Sequence, residues 1–78
     1  MPQFMMPMLG HLMEEGTVAE WRVQPGDQVR RGDILCEIET DKTNVEVESP
    51  FTGKVGQILV AAGETVEVGA PLANYEAD

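Results

Sequence analysis

Short runs of alternating apolar and polar residues fill most of the 78-residue chain. Thr17 to Val23, Ile34 to Glu39, Lys54 to Val60 and Leu72 to Glu76 each read as a β-strand, because strand side chains point to opposite faces at every second residue. No segment of useful length places apolar residues at helical spacing. Glycine and proline punctuate the runs, as at Pro25-Gly26, Gly32, Gly63 and Gly69, and these residues favour tight turns over continued strand. The pattern predicts an all-β sandwich or barrel.

The chain also matches itself at an offset of 37 residues, which pairs Gly16 with Gly53, Val18 with Val55, Val23 with Val60 and Gly26 with Gly63. Val29, Gly32, Leu35 and Glu39 pair in the same frame with Val66, Gly69, Leu72 and Glu76. Asp27 with Glu64 and Trp21 with Ile58 are conservative matches. Glycine recurring in one register marks backbone that needs positive φ or close approach. Each half therefore reads as strand, turn, one inward valine, second turn, strand, with both halves contributing to both sheets. Residues 1–78 are expected to form a single domain of two repeats, about 5–41 and 42–78.

At the junction of the repeats lies Glu37-Ile38-Glu39-Thr40-Asp41-Lys42-Thr43-Asn44-Val45-Glu46-Val47, two alternating segments around a short polar turn. With Asp41 and Lys42 at the centre of a β-hairpin, Ile38 faces Val45 and Cys36 faces Val47 on one side, and Glu37 meets Glu46 on the other. In a closed two-fold arrangement the counterpart of this hairpin is the meeting of Met5 to Leu9 with Leu72 to Tyr75, so both chain ends should lie opposite Lys42. Such a layout displays an amine. The plain alternative is a solvated turn lysine, the usual fate of that residue.

Composition narrows the function classes. The chain carries 14 acidic and 5 basic side chains, a formal net charge of −9, which repels phosphate backbones and argues against nucleic acid. Its longest apolar run, Ile58 to Ala62, is far short of the ~18 residues that span a bilayer. No basic leader precedes Arg22, so a cytoplasmic location, or a mitochondrial matrix in a eukaryote, is expected. Cys36 and His11 are the sole cysteine and histidine; neither a disulfide nor a metal site is expected, and stability must come from apolar burial. Strand parity directs Cys36 inward as packing. Ser49 belongs to no nucleophile motif. Phe4, Trp21, Phe51 and Tyr75 are assigned to the core or its rim, and Met5, Met6, Met8 and Met13 to filling the first strand and the loop after it. Lys54 begins a strand and is not expected to be modified.

Met6-Pro7-Met8-Leu9-Gly10, Met13-Glu14-Glu15-Gly16-Thr17-Val18, Val23-Gln24-Pro25-Gly26-Asp27-Gln28-Val29 and Gly32-Asp33-Ile34-Leu35-Cys36-Glu37-Ile38-Glu39-Thr40-Asp41-Lys42 together resemble the lipoyl domain of dihydrolipoamide acyltransferase (E2) components of 2-oxo acid and acetoin dehydrogenase complexes. The likeness runs over essentially the whole chain. It implies a flattened barrel-sandwich hybrid of two four-stranded antiparallel sheets with a pseudo-two-fold axis. It implies lipoic acid in amide linkage to Lys42, attached by a lipoate ligase or lipoyl transferase that reads Glu39 and Gly53, with Asp41 and Thr43 flanking the lysine. On its own such a domain is a monomeric, non-catalytic carrier. Its lipoyl-lysine visits the thiamine-dependent dehydrogenase E1, the acyltransferase core E2 and the dihydrolipoamide dehydrogenase E3, carrying acyl groups and reducing equivalents. Glu37, Glu46 and Glu48 are expected to meet those partners, and the loop from His11 to Glu15 to help them discriminate. A biotin carrier domain shares the duplicated fold, but such domains flank the lysine with methionine where Asp41 and Thr43 stand here. An unmodified lipoyl-like adaptor would have no use for Glu39, Lys42 and Gly53 together.

Overall fold

Each of the four alternating runs becomes a strand in the computed structural model, which describes residues 2–9, 13–40 and 43–78. Among these residues the strands are β1 (Gln3–Met5), β2 (Glu15–Trp21), β3 (Gln28–Val29), β4 (Ile34–Glu39), β5 (Asn44–Glu48), β6 (Gly53–Ile58), β7 (Thr65–Glu67) and β8 (Pro71–Ala77). They form two four-stranded sheets, one ordered β1-β8-β6-β3 and the other β5-β4-β2-β7, with every pairing antiparallel. Strand β2 starts earlier than the alternation suggests because Glu15 and Gly16 pair with Glu67 and Val66 of β7. It ends at Trp21, where the chain bends at Arg22.

Exchanging β1 with β5, β2 with β6, β3 with β7 and β4 with β8 converts one sheet order into the other. The glycine turns obey the same exchange: Gly26 and Gly63 both have φ 94°, and Gly32 and Gly69 have φ 97° and 92°. Gly26 donates its N–H to the carbonyl of Val55 at 2.8 Å, and Gly63 donates to Val18 at 2.7 Å. The Asp27 carboxylate accepts from the Gln24 N–H at 2.8 Å, and Glu64 accepts from Ala61 at 2.7 Å. The acidic residue common to both halves thus closes its own turn, as short polar side chains do. Each half's first turn is bonded to a strand of the other half, so neither folds around itself.

Met6, Val18, Cys36, Ile38 and Leu72 are the most completely buried side chains between the sheets. Burial of the Met, Val, Ile and Leu side chains among them stabilises by about 1.5–3 kcal/mol each. Leu35 and Cys36 are consecutive yet both buried, because the β4–β5 register shifts between Ile34 and Cys36; simple alternation does not foresee this. Leu72 and Ala73 of β8 repeat the double burial. Trp21 donates its indole N–H to the Val60 carbonyl at 2.8 Å, and Phe51 stacks on Tyr75 with ring centres 3.8 Å apart. The methionines divide: Met6 is buried and Met13 packs at the core margin, whereas Met5 and Met8 are 44% and 63% exposed. Met5 faces away because Phe4 takes the inward side of β1.

Candidate functional site: the β4–β5 hairpin

Cys36 lies opposite Val47, Glu37 opposite Glu46, Ile38 opposite Val45 and Glu39 opposite Asn44, the register that a two-residue connection demands. Thr40 closes the strand ends by donating its N–H to the Thr43 carbonyl at 2.8 Å, and its hydroxyl reaches the same oxygen at 2.8 Å. Asp41 and Lys42, between them in sequence, lie outside the described residues. So do His11 and Leu12 of the loop expected to discriminate partners, whose remaining residues Met13 to Glu15 are described.

What flanks the turn is described. Ile38 and Val47 are buried and root the hairpin in the core; Glu39, Thr43, Asn44, Glu46 and Glu48 are exposed, and Glu37, Thr40 and Val45 are intermediate. The residues that flank the turn are thus anchored in the core at one level and open to solvent at the next.

The hairpin also points away from the chain's last residue. Strand β5 runs from Asn44 beside the turn to Glu48 at the base, a length of about 15 Å at ~3.3 Å per residue. Beyond that base, Asp78 donates its N–H to the Thr52 carbonyl at 2.9 Å, and Gln28 donates its amide to the Asp78 carboxylate at 2.9 Å. At the other terminus the Pro2 carbonyl accepts from Tyr75, whose ring lies on Phe51. Both ends are thus held at the base side of the hairpin.

Glu37 and Glu46 form a directly opposed pair of like charges, which by itself loosens a sheet. Arg22, just past the end of β2, answers them: its guanidinium is 3.1 Å from the Glu37 carboxylate, 3.6 Å from Glu46 and 3.6 Å from Glu20. Asn44 adds a 2.7 Å hydrogen bond from its side-chain amide to the other oxygen of Glu37. Glu37 is therefore engaged on both oxygens, while Glu39 and Glu48 make no ion pair among the described residues. Sequence reading did not single out Arg22, since its partners come from two other strands.

Gly53 sits at the base rather than the turn, opposite Val29 of β3 and Ala77 of β8. A β carbon there would overlap the Glu76 carbonyl oxygen and come within 2.8 Å of the Ala77 α carbon. Close backbone approach accounts for this glycine. Cys36 is sealed in the core, and burial pushes its thiol up to about 12. The buried Ser49 hydroxyl bonds to the Phe51 carbonyl at 2.7 Å and accepts from its N–H at 3.2 Å, a local turn. Among the described residues there is no group of three or more His, Cys, Asp or Glu side chains suited to a metal ion, and no helix long and apolar enough to cross a membrane.

A biotin/lipoyl family model, described as biotin-requiring enzyme, matches residues 2–74. The pyruvate dehydrogenase E1 component subunit beta of Rhizobium meliloti is 47% identical over 72 residues, 91% of this chain and 16% of that protein. The lipoamide acyltransferase component of the branched-chain alpha-keto acid dehydrogenase complex of Bacillus subtilis is 41% identical over 76 residues, 97% of this chain and 18% of that protein. Among solved structures, the lipoyl domain of the 2-oxoglutarate dehydrogenase complex of Azotobacter vinelandii superposes with a TM-score of 0.77 at 32% identity, covering 95% of this chain and 94% of that one. The chain belongs to the biotin/lipoyl family and, within it, to the lipoyl domains. It spans less than a fifth of the length of the two curated relatives named.

Proposed function

We propose that this domain is the lipoyl carrier of a 2-oxo acid dehydrogenase complex, with lipoic acid in amide linkage to Lys42. The observation that carries the reading is the β4–β5 hairpin, rooted by Ile38 and Val47 and bordered by exposed residues, with Lys42 in the two-residue connection after Thr40. When attached, the lipoyl group supplies a dithiolane that accepts an acyl group with its own reduction. The protein's share is to present one amine and keep it tethered, which replaces free diffusion by an effective concentration in the millimolar range. Asp41 and Thr43 beside the lysine favour lipoylation over biotinylation.

In this proposal a lipoate ligase or lipoyl transferase reads Glu39, Asp41 and Thr43 around the lysine, and Gly53 through the close β6–β8 packing it permits. Thiamine-dependent dehydrogenase, acyltransferase and dihydrolipoamide dehydrogenase are the successive partners, in a cytoplasmic or mitochondrial-matrix complex. Relatives named for pyruvate and branched-chain substrates are of similar likeness, so the acid is set by the partner dehydrogenase. The exposed Glu39, Glu46 and Glu48 border the approach to the turn and favour a basic rim on that enzyme.

The test is reductive acylation of ligase-treated domain by purified 2-oxo acid dehydrogenases, each with its own 2-oxo acid. Acyl transfer to the wild-type domain by at least one of them, and none to Lys42→Ala, is expected. A ligase-treated domain that no dehydrogenase acylates would overturn the carrier reading.

A further inference from the structure

The connection after Thr40 has an unusual burden. Two-residue hairpin connections favour turns with positive φ at one or both central positions, which is why glycine and asparagine dominate them. This chain has Asp41-Lys42 there and no glycine. Turn chemistry alone therefore fixes the hairpin register weakly, and the flanking cross-strand pairs must hold it. Near the turn those pairs are Glu39 with Asn44, Ile38 with the half-buried Val45, and the two like charges Glu37 and Glu46.

A network outside the core offsets this weakness. Arg22 follows β2, Glu37 lies on β4 and Asn44 on β5, so one carboxylate ties three neighbouring strands together. Its Oε2 is 3.1 Å from the Arg22 guanidinium, and its Oε1 accepts the Asn44 amide at 2.7 Å. Asn44 is one residue from Thr43, whose carbonyl closes the hairpin. The same guanidinium lies 3.6 Å from Glu46 and turns the opposed pair into a bridged one. Charge-assisted hydrogen bonds are the strong members of their class, and Glu37 is the least exposed of the carboxylates that Arg22 contacts.

We infer that Arg22, Glu37 and Asn44 are positioning residues for Lys42: they lock the hairpin so that the amine is offered in one place to the enzyme that modifies it. This inference rests on the carrier reading. It also reassigns Glu37 from a partner-facing carboxylate to a strut, leaving Glu39, Glu46 and Glu48 to face partners.

The experiment compares wild type with Arg22→Gln, Asn44→Ala and Arg22→Lys. It measures lipoylation kinetics with a purified lipoate ligase, hydrogen exchange at the Thr40 N–H, and thermal unfolding. Arg22→Gln and Asn44→Ala should lower kcat/KM for lipoylation by about 5- to 10-fold, the scale of one typical net hydrogen bond. They should accelerate Thr40 exchange by a similar factor while shifting Tm by only a few degrees. Arg22→Lys, which keeps the charge without the planar fork, should recover part of both losses. Unchanged Thr40 exchange in both disruptive variants overturns the inference, whether lipoylation falls or not; a fall alone would mean that these side chains touch the ligase directly. Should wild type itself resist lipoylation, the carrier reading fails, and the exchange data still decide whether the network locks the hairpin.

Discussion

Gly53 lies so close against the backbone of Glu76 that no β carbon fits between them. The contact is backbone on backbone, between β6 and β8 of one sheet, so no side chain can swing aside to relieve it. Gly53→Ala should destabilise the fold by about 1–3 kcal/mol, the range for overpacking a fitted site. At roughly 4–8 °C per kcal/mol for a domain of this size, thermal unfolding should register a clear drop. An unchanged Tm would show that the two strands separate freely there.

Gly26 and Gly63 present a different constraint. Both have φ 94°, yet a β carbon at either would meet nothing within 4 Å. Their requirement is conformational, and Gly26→Ala and Gly63→Ala should each cost about 1–2 kcal/mol. Because the two turns are hydrogen-bonded alike, the two losses should be of similar size, and as distant sites they should add in the double variant to within about 0.5 kcal/mol. Asparagine, which tolerates left-handed backbone, should cost less than alanine at both. Chemical denaturation of the single and double variants checks this.

Cys36 should be inert in the native domain. A thiol pushed up to about 12 by burial supplies almost no thiolate at pH 8, and the thiolate is the reactive form. A thiol reagent should label it only as fast as the domain opens. The folded state also holds this proton more tightly than the unfolded chain, where an ordinary cysteine loses it near pH 8.5. Stability from this group is therefore complete below that value and declines as pH rises toward about 12. Cys36→Ala should flatten that alkaline decline, as read from denaturation midpoints between pH 8 and pH 11.

Charge reversal of Glu48 to lysine should slow reductive acylation by the cognate dehydrogenase at low ionic strength. The difference should shrink as salt shortens the ~8 Å screening length. Initial rates across a salt series measure it, and a salt-independent defect would point to a lost specific contact.

Much of this was legible in the sequence because two independent signals agreed. The 37-residue offset marked the glycines that adopt positive φ, and the Ile38–Val45 and Cys36–Val47 pairs followed from strand parity around a two-residue connection. What escaped depends on departures from regularity. Leu35 beside Cys36, and Leu72 beside Ala73, are buried together because bulged or shifted pairing breaks alternation, and nothing local announces it. Assigning Met5, Met6, Met8 and Met13 together to the first strand and its loop did not say which of them face inward; the buried positions go to Phe4 of β1 and to Met6 just after it, and Met5 and Met8 stay exposed. Arg22 was missed because its value lies in Glu37 and Glu46, residues of two other strands whose like charges only the folded register brings together.

The attachment point itself is tested most directly by peptide-level mass spectrometry of the domain after co-expression with a lipoate ligase. One lipoyl group on the peptide containing Lys42, with Lys54 unmodified, is the predicted result. Lipoylation at Lys54, a biotinyl group in its place, or no adduct at all would contradict the account.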